Sequence, residues 1–338
     1  MILLSILMRP FSWFYGMVLF LRHWAYDKGY KKSYSFKTPS ICVGNLSLGG
    51  TGKTPMVELL LRHYQADKSV RTAVLSRGYG RISQGLVLGN SLSTVEDLGD
   101  EPYQIAQSFP ETTLVVSASR VAGMSYLEGL EPAAPHVVVL DDAFQHRAIQ
   151  ASFTILLTTF SQPFYRDKLL PSGRLRDLPS RAQAADVLVV TKCPWDLSDA
   201  QRKEMLTHFS SHFKKLICFS YLDYDPVWKG LEASVKASDY IGKEINLITA
   251  IAQPEPLLRY LERMGIRYKH WRFKDHHFFT PNEIAQLEEL SHVVCTQKDF
   301  TKLKDRVEGI YYIGVQHVFF EQDATRFYKA LPEVSGSM

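Results

Sequence analysis

The chain has 338 residues, 46% of them hydrophobic and 22% charged, and carries a net charge of +4. That length buries a large core and suggests two domains, and nothing in the composition suggests disorder. The four cysteines, Cys42, Cys193, Cys218 and Cys295, form no C-x-x-C pair, which argues against a zinc site or a disulfide framework and for reduced cytoplasmic thiols.

Residues 1–32 hold five basic side chains (Arg9, Arg22, Lys28, Lys31, Lys32) against the single acid Asp27, so this segment carries the +4 and the rest is near neutral. The apolar run is broken at Arg9-Pro10 and stops at Leu21, leaving roughly eleven residues, too few to cross a bilayer. No cleavage site follows it, as a signal peptide would need. Trp13, Phe14, Tyr15, Trp24 and Tyr26 favour the headgroup boundary, and the lysines after them suit anionic lipid. An amphipathic helix lying in the membrane interface is expected, with a helix packed on the protein core as the alternative. No nucleic-acid partner is expected.

A strand-like run, Ser40-Ile41-Cys42-Val43-Gly44, then leads through Leu48-Gly49-Gly50-Thr51-Gly52-Lys53-Thr54 into a helical pattern with Met56, Leu59, Leu60 and Tyr64 on one face. Strand, glycine turn and helix in that order form the setting of a phosphate-binding loop. Backbone N–H groups would line a triphosphate, Lys53 would reach its outer phosphates, and the Thr54 hydroxyl would face Mg²⁺. Ser47 stands where the usual pattern has its first glycine, and Gly49 and Gly50 supply the flexibility instead. Pro55 fits the first helical turn. Leu48, Gly49, Gly50, Thr51, Gly52, Lys53, Thr54 and Pro55 are therefore the expected nucleotide-binding residues.

Further β-branched runs near 71, 112, 136, 153 and 186 alternate with helical stretches, which implies a mostly parallel sheet covered on both faces. Four side-chain groups punctuate this pattern. Ser76-Arg77-Gly78-Tyr79-Gly80-Arg81 ends the second strand with guanidinium groups suited to phosphate oxygens, or simply with solvated charge. Asp100-Glu101-Pro102 starts a helix, and its spacing alone reads as a cap. His136 to Leu140 is an apolar strand ending in Asp141 and Asp142, as a metal-ligating strand of a nucleotide-binding protein should. Leu170 to Asp177 is a basic loop between strands.

After a polar stretch (Asp223 to Lys243), strand-like segments near 246, 268, 293 and 311 and helices from about Pro254 and Pro281 indicate a smaller α/β unit. Lys274-Asp275-His276-His277 lies on a loop entering the Thr280-Pro281-Asn282-Glu283 capping box. Thr296-Gln297-Lys298-Asp299 has the wrong order for a guanine-reading loop. The expected fold is α/β: an N-terminal helix region over 1–32, a P-loop NTPase domain over 33–230, and a smaller C-terminal α/β domain over 231–338.

Taken in order, V-G-N-L-S-L-G-G-T-G-K-T-P, L-S-R-G-Y-G, G-D-E-P, L-D-D-A-F-Q-H-R, L-L-P-S-G-R-L-R, K-D-H-H and T-Q-K-D-F-T-K resemble the tetraacyldisaccharide 4′-kinase family over nearly the whole chain. The resemblance implies transfer of the γ-phosphate of ATP, with Mg²⁺, to the 4′-hydroxyl of an acylated glucosamine disaccharide 1-phosphate at the cytoplasmic face of the inner membrane, with the enzyme bound peripherally. It also implies Asp100 as catalytic base paired with His276, metal- and phosphate-organising roles for Glu101, Asp141 and Asp142, and substrate contacts by Arg77 and Arg120. Ala143, Arg174 and Gln297 depart from residues common in the family. The rival reading is a membrane-associated ATPase with a deviant phosphate loop, against which Leu48 replaces that loop's signature lysine.

Overall fold

The computed structural model describes residues 8–275 and 277–335. The elements begin, in chain order, with α1 (Arg9–Asp27), β1 (Ser40–Asn45), α2 (Lys53–Tyr64), β2 (Thr72–Ser76), β3 (Val87–Leu88), α3 (Val95–Leu98), α4 (Asp100–Ser108), β4 (Thr113–Val116), α5 (Arg120–Glu128) and β5 (Val137–Asp141). They continue with β6 (Phe153–Thr159), β7 (Val187–Thr191), α6 (Asp199–Phe209), β8 (Leu216–Tyr224), β9 (Val227–Lys229), β10 (Ser234–Lys236), β11 (Glu244–Thr249), α7 (Glu255–Arg263) and β12 (Arg267–Arg272). The last are α8 (Pro281–Glu288), β13 (Val293–Thr296), α9 (Gln297–Leu303), β14 (Tyr311–Ile313), β15 (Val315–Phe319) and α10 (Glu321–Ala330).

The chain divides into two compact units, one made of the residues up to Tyr221 together with those from His317 on, the other Leu222–Gln316. The first holds, among the described residues, a nine-stranded sheet ordered β15-β8-β7-β6-β1-β5-β2-β4-β3. Pairings from β8 through β7, β6, β1, β5 and β2 to β4 are parallel, and the short β3 runs antiparallel to its neighbour β4. The central strands β1, β5 and β7 are buried at every residue, as strands covered on both faces must be. Alternation along β5 splits its side chains: Val137 and Val139 join Met56, Val57 and Leu60 of α2 in one core, while Val138 and Leu140 join Leu75, Leu156 and Phe209 in the other. Helix α2 buries more than the expected stripe. Val57, Glu58 and Leu61 are also inside, and Glu58 is kept there by hydrogen bonds from Arg62 Nη2 and Gln104 Nε2, both at 2.9 Å.

The two units meet at 221/222, beside the expected 230/231, and the final residues belong to the first unit, because β15 adds to the edge of its sheet beside β8. The second unit carries, among the described residues, a six-stranded sheet ordered β10-β9-β14-β13-β11-β12, parallel in its β14-β13-β11-β12 part and antiparallel at β9 and β10.

Helix α1 is amphipathic in an unusual sense. The side chains that bind the first unit are mostly polar: Ser12 Oγ donates to Leu169 O (3.0 Å), Tyr15 Oη to Arg176 O (2.8 Å), Arg22 Nη2 to Gln145 O (2.8 Å), and His23 Nε2 pairs with Asp177 Oδ1 at 2.6 Å inside the protein. The outward face is apolar, with Phe11, Trp13, Phe14, Met17, Val18, Phe20, Leu21 and Trp24 all exposed. Among the described residues, no helix is long and apolar enough to cross a membrane.

Candidate active site

Neighbouring strands β1 and β5 bring the phosphate loop and the acidic pair together, with Val43 in register with Asp141. The loop leaves β1 at Asn45, passes Gly49 at φ +111° and reaches Gly52 at φ +88°, the residue that caps α2. Only glycine tolerates these backbone angles without strain. Lys53 opens the helix, and its Nζ lies 4.0 Å from Asp142 Oδ1. Asp142 itself sits at φ +45°, a left-handed conformation uncommon outside glycine and held here by strong side-chain bonds. Arg176 supplies them as a two-pronged fork, Nη1 to Oδ2 at 3.0 Å and Nη2 to Oδ1 at 2.8 Å, and Nη2 also reaches Asn45 Oδ1 at the start of the loop.

Asp141 is almost completely buried. Ser76 Oγ at the end of β2 donates to its Oδ2 at 2.9 Å, while Oδ1 has no hydrogen-bond partner. Burial, with the negative charges of Glu101 and Asp142 adding to it, pushes the Asp141 carboxyl up to about 7 against the pull of Lys53 and Ser76. For Asp142 burial acts in the same upward direction, but the Arg176 fork and Lys53 outweigh it and hold the carboxyl below its ordinary value. One acid of the pair is thus ready as a firm anion while the other has a bare oxygen in want of a cation.

Glu101 and Asp100 enter from α4. Gly99, at φ +89°, is the N-cap, so Asp100 is the first helical residue and the capping role read from spacing is corrected. A side chain at Gly99 would meet the Tyr79 carbonyl at 2.7 Å, which packs this helix start against the Ser76–Arg81 turn. Asp100 is buried there. Arg77 is exposed. It belongs to a cationic group with Arg120 and Arg22 that, after burial, drives the imidazole of His146 down to about 4. Arg120 is only 1% exposed, and its Nη1 and Nη2 donate to the carbonyls of Ser117 (2.9 Å) and Asp141 (3.1 Å). Substrate contact by Arg120 would require its guanidinium to leave these carbonyls.

A divalent cation fits this donor set. The bare Asp141 oxygen, Asp142, Glu101 and the Thr54 hydroxyl are hard oxygen groups of the kind Mg²⁺ takes. Among the described residues no group of three or more His, Cys, Asp or Glu forms a metal cage. Mg²⁺ in nucleotide sites typically takes one or two carboxylates and completes its shell with phosphate and water.

Several residues around the loop carry no spacing signal. Leu48 N donates to Arg174 O (2.7 Å) and Arg176 N to Leu46 O (2.7 Å), so the basic loop after Leu170 runs along the phosphate loop. Gln145 Nε2 bonds Asn45 O at 2.8 Å, Thr191 Oγ1 bonds Thr51 O at 2.8 Å, and His317 Nε2 bonds Gly52 O at 2.8 Å. Each pairing spans a hundred residues or more, which no local pattern could announce.

His276 lies outside the described residues. Within the second unit its neighbours are held from α9: Lys298 Nζ is 3.3 Å from Asp275 Oδ1, and Lys302 Nζ donates to His277 O at 3.3 Å. Thr296 caps α9, and buried Asp299 accepts from Thr296 Oγ1 (2.6 Å) and from Ala250 N (3.0 Å). The Thr296–Asp299 segment is thus the start of α9, the helix whose Lys298 and Lys302 hold Asp275 and His277.

Residues 4–333 match the family described as tetraacyldisaccharide-1-P 4′-kinase. A tetraacyldisaccharide 4′-kinase of Flavobacterium johnsoniae is 38% identical over 322 residues, covering 94% of this chain and 93% of that protein. One of Bacteroides thetaiotaomicron is 36% identical over 341 residues, covering 96% and 86%. The crystal structure of LpxK from Aquifex aeolicus in complex with ATP superposes with a TM-score of 0.77 at 28% identity, covering 97% of this chain and 99% of that one. With its phosphate loop, acidic strand end and full-length likeness to these proteins, this chain belongs to the tetraacyldisaccharide-1-P 4′-kinase family.

Proposed function

We propose that the chain is a lipid kinase that moves the γ-phosphoryl group of ATP onto the 4′-hydroxyl of a tetraacyldisaccharide 1-phosphate, a step of lipid A biosynthesis. The observation that carries this reading is the convergence of Lys53, Asp142 and the bare Asp141 oxygen at the adjoining ends of β1 and β5. Phosphoryl transfer asks a protein mainly for position and for neutralised charge. Lys53 and the loop N–H groups answer the charge on the triphosphate, and Arg176 keeps Asp142 ionised and fixed beside them. Asp141 and Asp142, with Thr54 and Glu101, would hold Mg²⁺, whose positive charge would offset the negative charge of the phosphates.

Asp100 takes the proton of the acceptor hydroxyl. Its carboxylate stands in the first turn of α4, where the helix dipole favours a negative charge. Arg77, exposed in the cationic group near His146, faces the anionic substrate, with Arg120 behind it. The lipid reaches the enzyme at the cytoplasmic face of the inner membrane, where α1 lies in the interface. Its outward Phe11, Trp13, Phe14, Phe20 and Trp24 would each yield roughly 1 kcal/mol on partial immersion. The deviant-ATPase reading is set aside, since Leu48 occupies the signature lysine position and the relatives are kinases by name.

Steady-state kinetics of Lys53→Ala and Asp100→Ala test this reading. Each should lower turnover by several orders of magnitude while leaving vesicle binding intact, and equal loss of both properties would argue for misfolding instead.

A further inference from the structure

The phosphate loop is held from behind by two side chains that the transfer chemistry does not use. Thr191, fully buried at the end of β7, donates its hydroxyl to the Thr51 carbonyl at 2.8 Å. His317, 4% exposed on β15, bonds the Gly52 carbonyl at 2.8 Å through Nε2 and lies 3.1 Å from Ser220 Oγ through Nδ1. A carbonyl only accepts, so Nε2 carries the proton and Nδ1 accepts from Ser220. Burial depresses the imidazole to about 4, with Lys192 nearby acting in the same direction, so this neutral tautomer persists at any working pH. The imidazole also fills the space a side chain at Gly52 would need, since a Cβ there would stand 2.7 Å from Nε2.

Peptide geometry turns these contacts into a statement about phosphate binding. In a planar trans peptide the N–H points opposite to the C=O. The Thr51 carbonyl shares its peptide with Gly52 N–H, and the Gly52 carbonyl shares its peptide with Lys53 N–H. Tying both carbonyls inward to buried donors therefore turns both N–H groups outward, toward the mouth of the loop. The second lone pair of the Gly52 carbonyl is taken by Met56 N at 3.1 Å, the first helical bond of α2, so the plane is fixed from two sides.

We propose that His317, with Thr191 beside it, is a positioning residue that aims the Gly52 and Lys53 backbone N–H groups at the nucleotide's phosphates. His317 is the first residue of the chain's return to the first unit and Ser220 lies next to the last residue before it departs, so the nucleotide loop is tied to the two strands on which the chain leaves and re-enters.

The inference rests on reading this loop as the ATP site. The test is ATP affinity and the separate KM and kcat values of the full-length protein for wild type, His317→Leu, His317→Gln and Thr191→Val. Loss of an oriented donor pair should weaken ATP binding about tenfold in His317→Leu, with KM for the lipid unchanged. His317→Gln, which puts an amide N–H near the lost Nε2–H, should recover to within about threefold. Thr191→Val should weaken ATP in the same direction and carries the test if His317→Leu fails to fold. Wild-type ATP affinity in folded His317→Leu, or a His317→Gln variant as poor as the leucine variant, would overturn the inference. Wild-type protein that binds ATP but transfers no phosphate to lipid would sink the kinase reading and leave the positioning role standing. Wild-type protein that binds no ATP would overturn both.

Discussion

Replacing Asp141 by asparagine should make the protein more stable while destroying its activity. The wild-type carboxyl is buried, with Oδ1 lacking any partner and Glu101 and Asp142 adding repulsion. Its folded-state value near 7 stands above the ordinary 3.8, so the folded protein holds this proton more tightly than the unfolded chain. The contribution to stability is then full below pH 4 and is lost as pH rises through 7. A rise from 3.8 to about 7 corresponds to a loss of up to roughly 4 kcal/mol at the plateau, at about 1.4 kcal/mol per pH unit. Asparagine mimics the protonated acid at every pH, and imperfect replacement should leave a gain of about 1 to 3 kcal/mol, or a melting temperature roughly 3 to 8 °C higher at pH 8. The assay is thermal unfolding of both proteins, free of nucleotide and divalent cation, from pH 4.5 to 8.5. The gain should grow with pH and level off above 7. Adding Mg²⁺ and an ATP analogue should stabilise wild type more than the variant, because the cation answers the ionised carboxylate. A variant no more stable than wild type at pH 8, or a gain independent of pH, would refute the assignment of Asp141 as a strained acid awaiting a metal.

Two further outcomes follow from the geometry. Arg176→Lys removes the fork on Asp142 and the reach to Asn45, so turnover should fall by roughly tenfold or more. Asp142 should also titrate higher, moving the acid limb of the kcat profile to higher pH, and an unmoved limb would count against Asp142 as the working anion. Trp13→Ser, Phe14→Ser and Phe20→Ser together strip the outward face of α1 without touching its bonds to Leu169, Arg176 and Gln145. Cosedimentation with anionic vesicles should drop by an order of magnitude or more while ATP affinity stays, and undiminished sedimentation would place the membrane contact elsewhere.

Much of the first unit could be read from the chain alone, because its parallel strands are short β-branched runs bounded by turn residues and its phosphate loop sits between strand and helix. Strands β5 and β7 announce themselves by being buried on both faces. Less legible were β8, whose outer half turns polar at Asp223, and β15, whose return to the first sheet is a long-range pairing. The acidic pair and Lys53 stood out because their chemistry is tied to local motif position. Thr191 and His317 did not, and the motifs holding Gln145 and Arg176 did not reveal their partners, since each of the four meets the loop across a hundred or more residues of sequence. The aromatic N-terminal segment suggested an interfacial helix, yet its docking on the protein through Ser12, Tyr15, Arg22 and His23, with the apolar face turned out, depends on partners no periodicity reveals.

The most direct test of the account is transfer of label from γ-labelled ATP to tetraacyldisaccharide 1-phosphate in detergent by the purified protein with Mg²⁺. Label should appear in the lipid with wild type and disappear with Lys53→Ala, whose fold is checked by its melting curve. ATP hydrolysis that proceeds at the same rate with or without the lipid, leaving the lipid unlabelled, would contradict the account.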